Sequence, residues 1–266
     1  MDLFLTSTSI AFLSYSIATF AILARLLTPQ GPNLKVVISL GCLAILFHTF
    51  SLSQQLFISE KINFNLPNVI ALVSLVITSV VSVVALKFRV NLLLPVAYAF
   101  AALWQLVLIF IPPVNEIILS ASSFMMVTHI TLALVAYCIL VIATLYAFQV
   151  KYINKKLKDK DLSAVNHLPP LMQVENQLFI ILTMGTLSLL ASQVLGFIFL
   201  DNYFAKAQLH KTLISIVALA VYGLTLWGHY KQGWRGHKVL TLITFATLLL
   251  TLAYFGSRFV KEFLLS

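Results

Sequence analysis

Two histidines, His129 and His210, are the side chains of this sequence best placed for chemistry. Each opens a separate long apolar run, so the two imidazoles belong to different helices. A neutral imidazole is a good ligand for iron. Two of them at one depth, facing across a cleft, could hold a flat porphyrin, with His129 and His210 as the metal ligands. Equally, each could hydrogen-bond a neighbouring helix. Neither His-x-x-x-His nor His-Glu-x-x-His occurs, which leaves a hydrolytic zinc site without support.

Other polar residues share the same end of the apolar runs. Gln105 and Gln193 lie within runs, Tyr254 and Arg258 close the last one, and Lys211 adjoins His210. A guanidinium matches carboxylate geometry, so Arg258 could pair with a porphyrin propionate. The plainer reading is a snorkelling interfacial arginine beside a belt tyrosine, and Lys211 invites the same two readings. His48 lies in the middle of a run, while His167, His229 and His237 fall in polar breaks and read as solvated loop residues. Cys42 and Cys138 sit in separate runs with no Cys-x-x-Cys or zinc spacing, and read as small buried residues.

Catalytic constellations are otherwise scarce. The chain has 8 Asp and Glu, and no pair of them lies within a run, which argues against a proton-coupled transporter. Gly-x-Ser-x-Gly, Walker A and Gly-x-Gly-x-x-Gly are all missing, so no enzymatic activity is expected.

The elements that must position these groups are eight apolar stretches, near 3–27, 36–57, 66–86, 92–111, 124–149, 177–200, 209–227 and 239–260. A bilayer-spanning helix needs about 20 apolar residues. The runs lack the alternation of barrel strands, so helices satisfy the backbone. Hydrophobic residues make up 61% of the 266 and charged ones 9%, against about a quarter charged in soluble domains, which excludes a soluble protein. The expectation is an all-α polytopic bundle of eight transmembrane helices forming one integral domain, 1–266. No connection is long enough to build a core of its own.

The net charge of +9 does not indicate a nucleic-acid partner, because the cations sit at span ends rather than on one face. Odd-numbered connections carry Arg25, Lys35, Lys87, Arg89, the five lysines of 151–160, Lys231, Arg235 and Lys238. The other side carries Lys61, Lys206, Lys211, Arg258 and Lys261. The positive-inside rule then puts the odd connections in the cytoplasm and both termini outside. The first span is expected to stay as a helix, since Asp2 stands where a signal peptide has positive charge. The basic 151–160 stretch reads as a headgroup-facing segment.

The chain divides at the 112–123 connection, beyond which most of the polar motifs fall. Span five carries a face of small residues (Ala133, Ala136, Ala143, Ala147), as does span six (Gly185, Ser188, Ser192, Gly196). Small faces let helices approach closely in lipid. Gly233-Trp234-Arg235-Gly236 reads as a tight turn between spans seven and eight, with Trp234 and Arg235 at the headgroups.

Several stretches go beyond composition. They are His129-Ile130-Thr131-Leu132-Ala133-Leu134-Val135-Ala136-Tyr137, residues 168–175, His210-Lys211-Thr212, Trp227-Gly228-His229-Tyr230-Lys231-Gln232-Gly233-Trp234-Arg235-Gly236 and Ala253-Tyr254-Phe255-Gly256-Ser257-Arg258. In this order they resemble the cytochrome c assembly protein family, which includes the CcsA, CcmC and HemX-like proteins, and most closely its small proteobacterial inner-membrane branch. The resemblance covers most of the chain and is strongest from span five onward. It implies heme handling at the outer face of a bacterial inner membrane, with His129 and His210 matching two heme-ligating histidines that flank a tryptophan-rich outer loop.

In this chain the loop at 200–208 has no tryptophan. The implied role is therefore heme binding, export or regulation rather than attachment to apocytochrome. The expected function is a non-enzymatic heme carrier, assembly factor or regulator, with Gln193, Tyr254 and Arg258 beside the cofactor. Its expected partners are the lipid bilayer, heme, and cytochrome c maturation or other membrane proteins. A membrane scaffold that binds no heme is the alternative. A small-solute permease would need similar halves or broken helices, and neither is evident.

Overall fold

The computed structural model describes residues 3–25, 31–58, 61–88, 92–110, 118–119, 124–160, 169–199, 204, 208–256 and 259. Eight α-helices account for nearly all of them: α1 (Leu3–Leu23), α2 (Leu34–Leu56), α3 (Leu66–Lys87), α4 (Leu93–Phe110), α5 (Phe124–Lys158), α6 (Leu171–Phe199), α7 (Leu209–Gln232) and α8 (His237–Thr251). A π-helical turn, Leu252–Gly256, prolongs α8. Each of the eight is long and apolar enough to cross a membrane. The chain is thus a helical polytopic membrane protein.

Its contacts group into two compact units. One comprises Met1–Ser120 and Lys155–Pro169, the other Ala121–Asn154 and Pro170–Ser266. The first boundary falls inside the 112–123 connection.

In the first unit, α1 to α4 pack around a polar centre. The Tyr15 hydroxyl of α1 lies 3.3 Å from Nδ1 of His48 on α2 and 3.2 Å from the Thr78 hydroxyl on α3. Tyr98 of α4 hydrogen-bonds Ser82 of α3 at 2.7 Å, and its ring lies against Gly41 of α2, where a Cβ would collide with it. Serines and threonines such as Thr19 and Ser82 also bond the carbonyl one turn back, which satisfies their hydroxyls in an apolar interior. Asn65 caps α3 by accepting from the Asn68 amide at 3.0 Å.

A small antiparallel sheet accompanies this unit: β1 (Phe57–Ile58), β2 (Lys61–Asn63) and β3 (Ile118–Leu119), in the order β1-β2-β3. Phe57 pairs with Ile62, and Ile62 with Leu119. Strands of two or three residues are too short to show a period in residue type.

The second unit joins α5 to α8 side by side. Gly185 of α6 admits Leu140 and Ile139 of α5 so closely that a Cβ would overlap them. Thr144 of α5 and Tyr222 of α7 each lie 2.7 Å from the hydroxyl of Thr247 on α8. Tyr137 of α5 bonds Thr251 of α8 at 3.0 Å. The small faces read from sequence at Ala136, Ala143, Ala147, Gly185, Ser192 and Gly196 are buried.

Several boundaries differ from the sequence expectation, and α6 already begins at Leu171 rather than near 177. Helix α5 runs 35 residues, on to Lys158, so Lys151, Lys155, Lys156 and Lys158 are helical rather than in a loop. At 1.5 Å per residue it measures about 52 Å, well beyond a hydrocarbon core of about 30 Å. Helix α7 extends to Gln232, which makes His229 a helical residue.

Candidate functional site

His129 lies in the second turn of α5, half-buried against α6. Its Nδ1 is 2.8 Å from the carbonyl oxygen of Ser192. A carbonyl can only accept, so Nδ1 carries the proton and the lone pair of the neutral ring resides on Nε2. This is the tautomer in which a histidine binds metal while its other nitrogen is held by a backbone oxygen. The Ser192 hydroxyl adds a second link, 3.2 Å from the His129 carbonyl oxygen.

Gln193, the next residue, donates from Nε2 to the Ser215 hydroxyl of α7 at 2.8 Å. Ser215 lies five residues past His210, about 8 Å along the helix. Ser192 and Gln193 thus tie the start of α5 to the start of α7, and bring His129 and His210 to one end of the second unit. His210 is the second residue of α7 and is exposed.

Tyr254 belongs to the π-helical turn and meets Tyr137 edge-on, with ring centroids 5.7 Å apart. Tyr137 is two turns below His129 on α5, so Tyr254 also belongs to this end. Arg258 and most of the 200–208 connection lie outside the described residues. No group of three or more His, Cys, Asp or Glu that could hold a metal ion occurs among the described residues. Each of the two imidazoles is a nitrogen donor of the type that ligates iron.

Spacing placed His129 and His210 at one end, but not the Ser192 carbonyl that orients His129. Residue type shows Ser192 only as part of a small face, since a backbone acceptor leaves no mark in it.

The opposite end of the unit is also more ordered than a solvated loop. His229 stacks on Phe179, with centroids 3.3 Å apart, and its Nδ1 lies 3.1 Å from the Trp234 carbonyl oxygen. Gly233 ends α7 at φ 68°, with its amide bonded to the His229 carbonyl at 3.0 Å. Trp234 folds back over Gly228, and Lys238 sits 3.3 Å above its ring.

Residues 36–265 match the family described as Cytochrome C assembly protein. The chain belongs to that family. Within it, the chain is 38% identical over 257 residues to the inner membrane protein YpjD of Escherichia coli K12, covering 95% of this chain and 97% of the relative. It is also 28% identical over 174 residues to protein HemX of Brevibacillus brevis, covering 64% of each. An uncharacterised 28.8 kDa protein of Azospirillum brasilense is 32% identical over 142 residues, 52% of each chain. No solved structure gives a significant match. This cytochrome c assembly family member is a multi-pass protein of a bacterial inner membrane.

Proposed function

We propose that the chain is a non-enzymatic heme-handling protein, binding heme at the outer membrane face through Nε2 of His129 and the imidazole of His210. The observation that carries this reading is the Nδ1 bond of His129 to the Ser192 carbonyl, which presents Nε2 as the basic nitrogen. Family membership supports the choice of heme over another metal. Gln193 ties α6 to the His210-bearing helix α7 through Ser215. Tyr254 lines the same end, and Arg258 is the cation for the propionates. The outer placement rests on the charge bias, with both termini outside.

Heme bound here is carried, stored or sensed rather than transformed, and cytochrome c maturation proteins are the natural recipients. A spectrum of the purified protein after expression with ample heme tests this. A Soret band with sharp reduced α and β peaks is expected, lost when His129 and His210 are both alanine. Full heme retention in that double variant would refute the ligand assignment.

One observation favours the scaffold reading instead: the 200–208 connection carries no tryptophan. A heme-free scaffold would give no Soret band and would hold a crosslinkable membrane partner through the lysines of 151–160.

A further inference from the structure

Helix α8 does not finish as an α-helix. Its last turn, Leu252–Gly256, is π-helical. Turns of this kind are rare, and many lie at functional sites. Tyr137 of α5 touches this one at three points. Its ring meets Tyr254 at 5.7 Å between centroids and Phe255 at 5.3 Å, both edge-on. Its hydroxyl lies 3.0 Å from that of Thr251, the residue just before the turn. Thr251 gives its own proton to the Thr247 carbonyl, 2.8 Å away, so Tyr137 is the donor in this bond.

Register decides which side chains of the turn face α5. Re-forming an α turn shifts the register by one residue, about 100° round the axis, and carries Tyr254 away from Tyr137. Crowding at the end of the turn does not force the π form, because a Cβ on Gly256 would come no closer than 3.7 Å to Leu252. The three contacts of Tyr137 are what holds it. Tyr137 is itself buried, whereas Tyr254 is half-buried. Tyr137 follows His129 by eight residues, about 12 Å along α5, a span comparable with the width of a porphyrin.

We propose that Tyr137 is a positioning residue of the heme site: it keeps the end of α8 in π register and so sets Tyr254 against the porphyrin edge. This inference rests on the reading of His129 as a heme ligand. Tyr254 touches the cofactor, and Tyr137 acts only through it. The Tyr137 ring supplies two of the three contacts, so the ring matters more than the hydroxyl.

Heme titration of the full chain in detergent, followed at the Soret band, tests this. Tyr254→Leu and Tyr137→Leu should each weaken binding on the order of tenfold, as loss of an outer-shell partner does. Tyr137→Phe keeps the ring, loses one hydrogen bond, and should stay within about threefold of the unaltered chain. The double variant Tyr137→Leu, Tyr254→Leu should lose no more than either single variant, because one residue acts through the other. Losses that multiply in the double variant overturn the proposal. So does a Tyr137→Leu chain that binds heme as the unaltered chain does. An unaltered chain without a Soret band refutes the heme reading itself, and the role of Tyr137 with it.

Discussion

Nδ1 of His129 lies 2.8 Å from the carbonyl oxygen of Ser192, across the interface of α5 and α6. The acceptor is backbone, so the bond does not depend on the serine side chain. Ser192→Ala should therefore keep the His129 tautomer and hold heme within less than about tenfold of the unaltered chain, below the usual penalty for losing an outer-shell partner. His129→Ala should lose the axial nitrogen and the low-spin spectrum. Heme titration followed at the Soret band separates the two variants.

Gly185 faces Leu140 and Ile139 with no room for a side chain. Leu140 is itself fully buried and has nowhere to retreat. Gly185→Val should force α5 and α6 apart and destabilise the second unit by about 1–3 kcal/mol, as overpacking does elsewhere. Unfolding in mixed detergent micelles with increasing dodecyl sulfate reads this directly.

Two glycines of α7 should behave in opposite ways. Gly223 has open space where a Cβ would stand, so Gly223→Ala should stabilise the helix by about 0.5–1 kcal/mol. Gly228 lies under the Trp234 ring, so Gly228→Ala should dislodge that ring and destabilise the α7–α8 turn. Tryptophan emission should shift to the red in Gly228→Ala only.

Gln105 is fully buried, and neither its Nε2 nor its Oε1 has a hydrogen-bond partner among the described residues. Leaving such a group unsatisfied costs about 1–3 kcal/mol. Gln105→Met keeps the volume and removes the polar atoms, so it should raise the unfolding midpoint in the same micelle assay. A lower midpoint would show that the amide is satisfied in the membrane.

Much of this fold was legible. Eight spans follow from run length alone, because a bilayer fixes how much apolar helix it takes to cross. Helix ends were less legible. Hydropathy stops where the lipid does, whereas α5 continues through Lys151, Lys155, Lys156 and Lys158, residues that favour helix in water as well. His229 differs from a solvated loop residue for the same reason, since α7 outlasts its apolar run and carries that ring onto Phe179. At the candidate site, the residue types of His129 and His210 and their places near two helix starts were visible. The cross-helix links through Ser192 and Gln193 were not, because they depend on how α5, α6 and α7 are rotated against one another.

The single hydroxyl of Thr247 bonds to Thr144 and Tyr222, each 2.7 Å away on a different helix. Sliding α8 along α5 or α7 by even one turn, about 5.4 Å, would break both contacts at once. Thr247 acts as a rivet through three rods. Whatever engages the outer mouth must tilt those rods as one block, because none can piston past the others while the rivet holds.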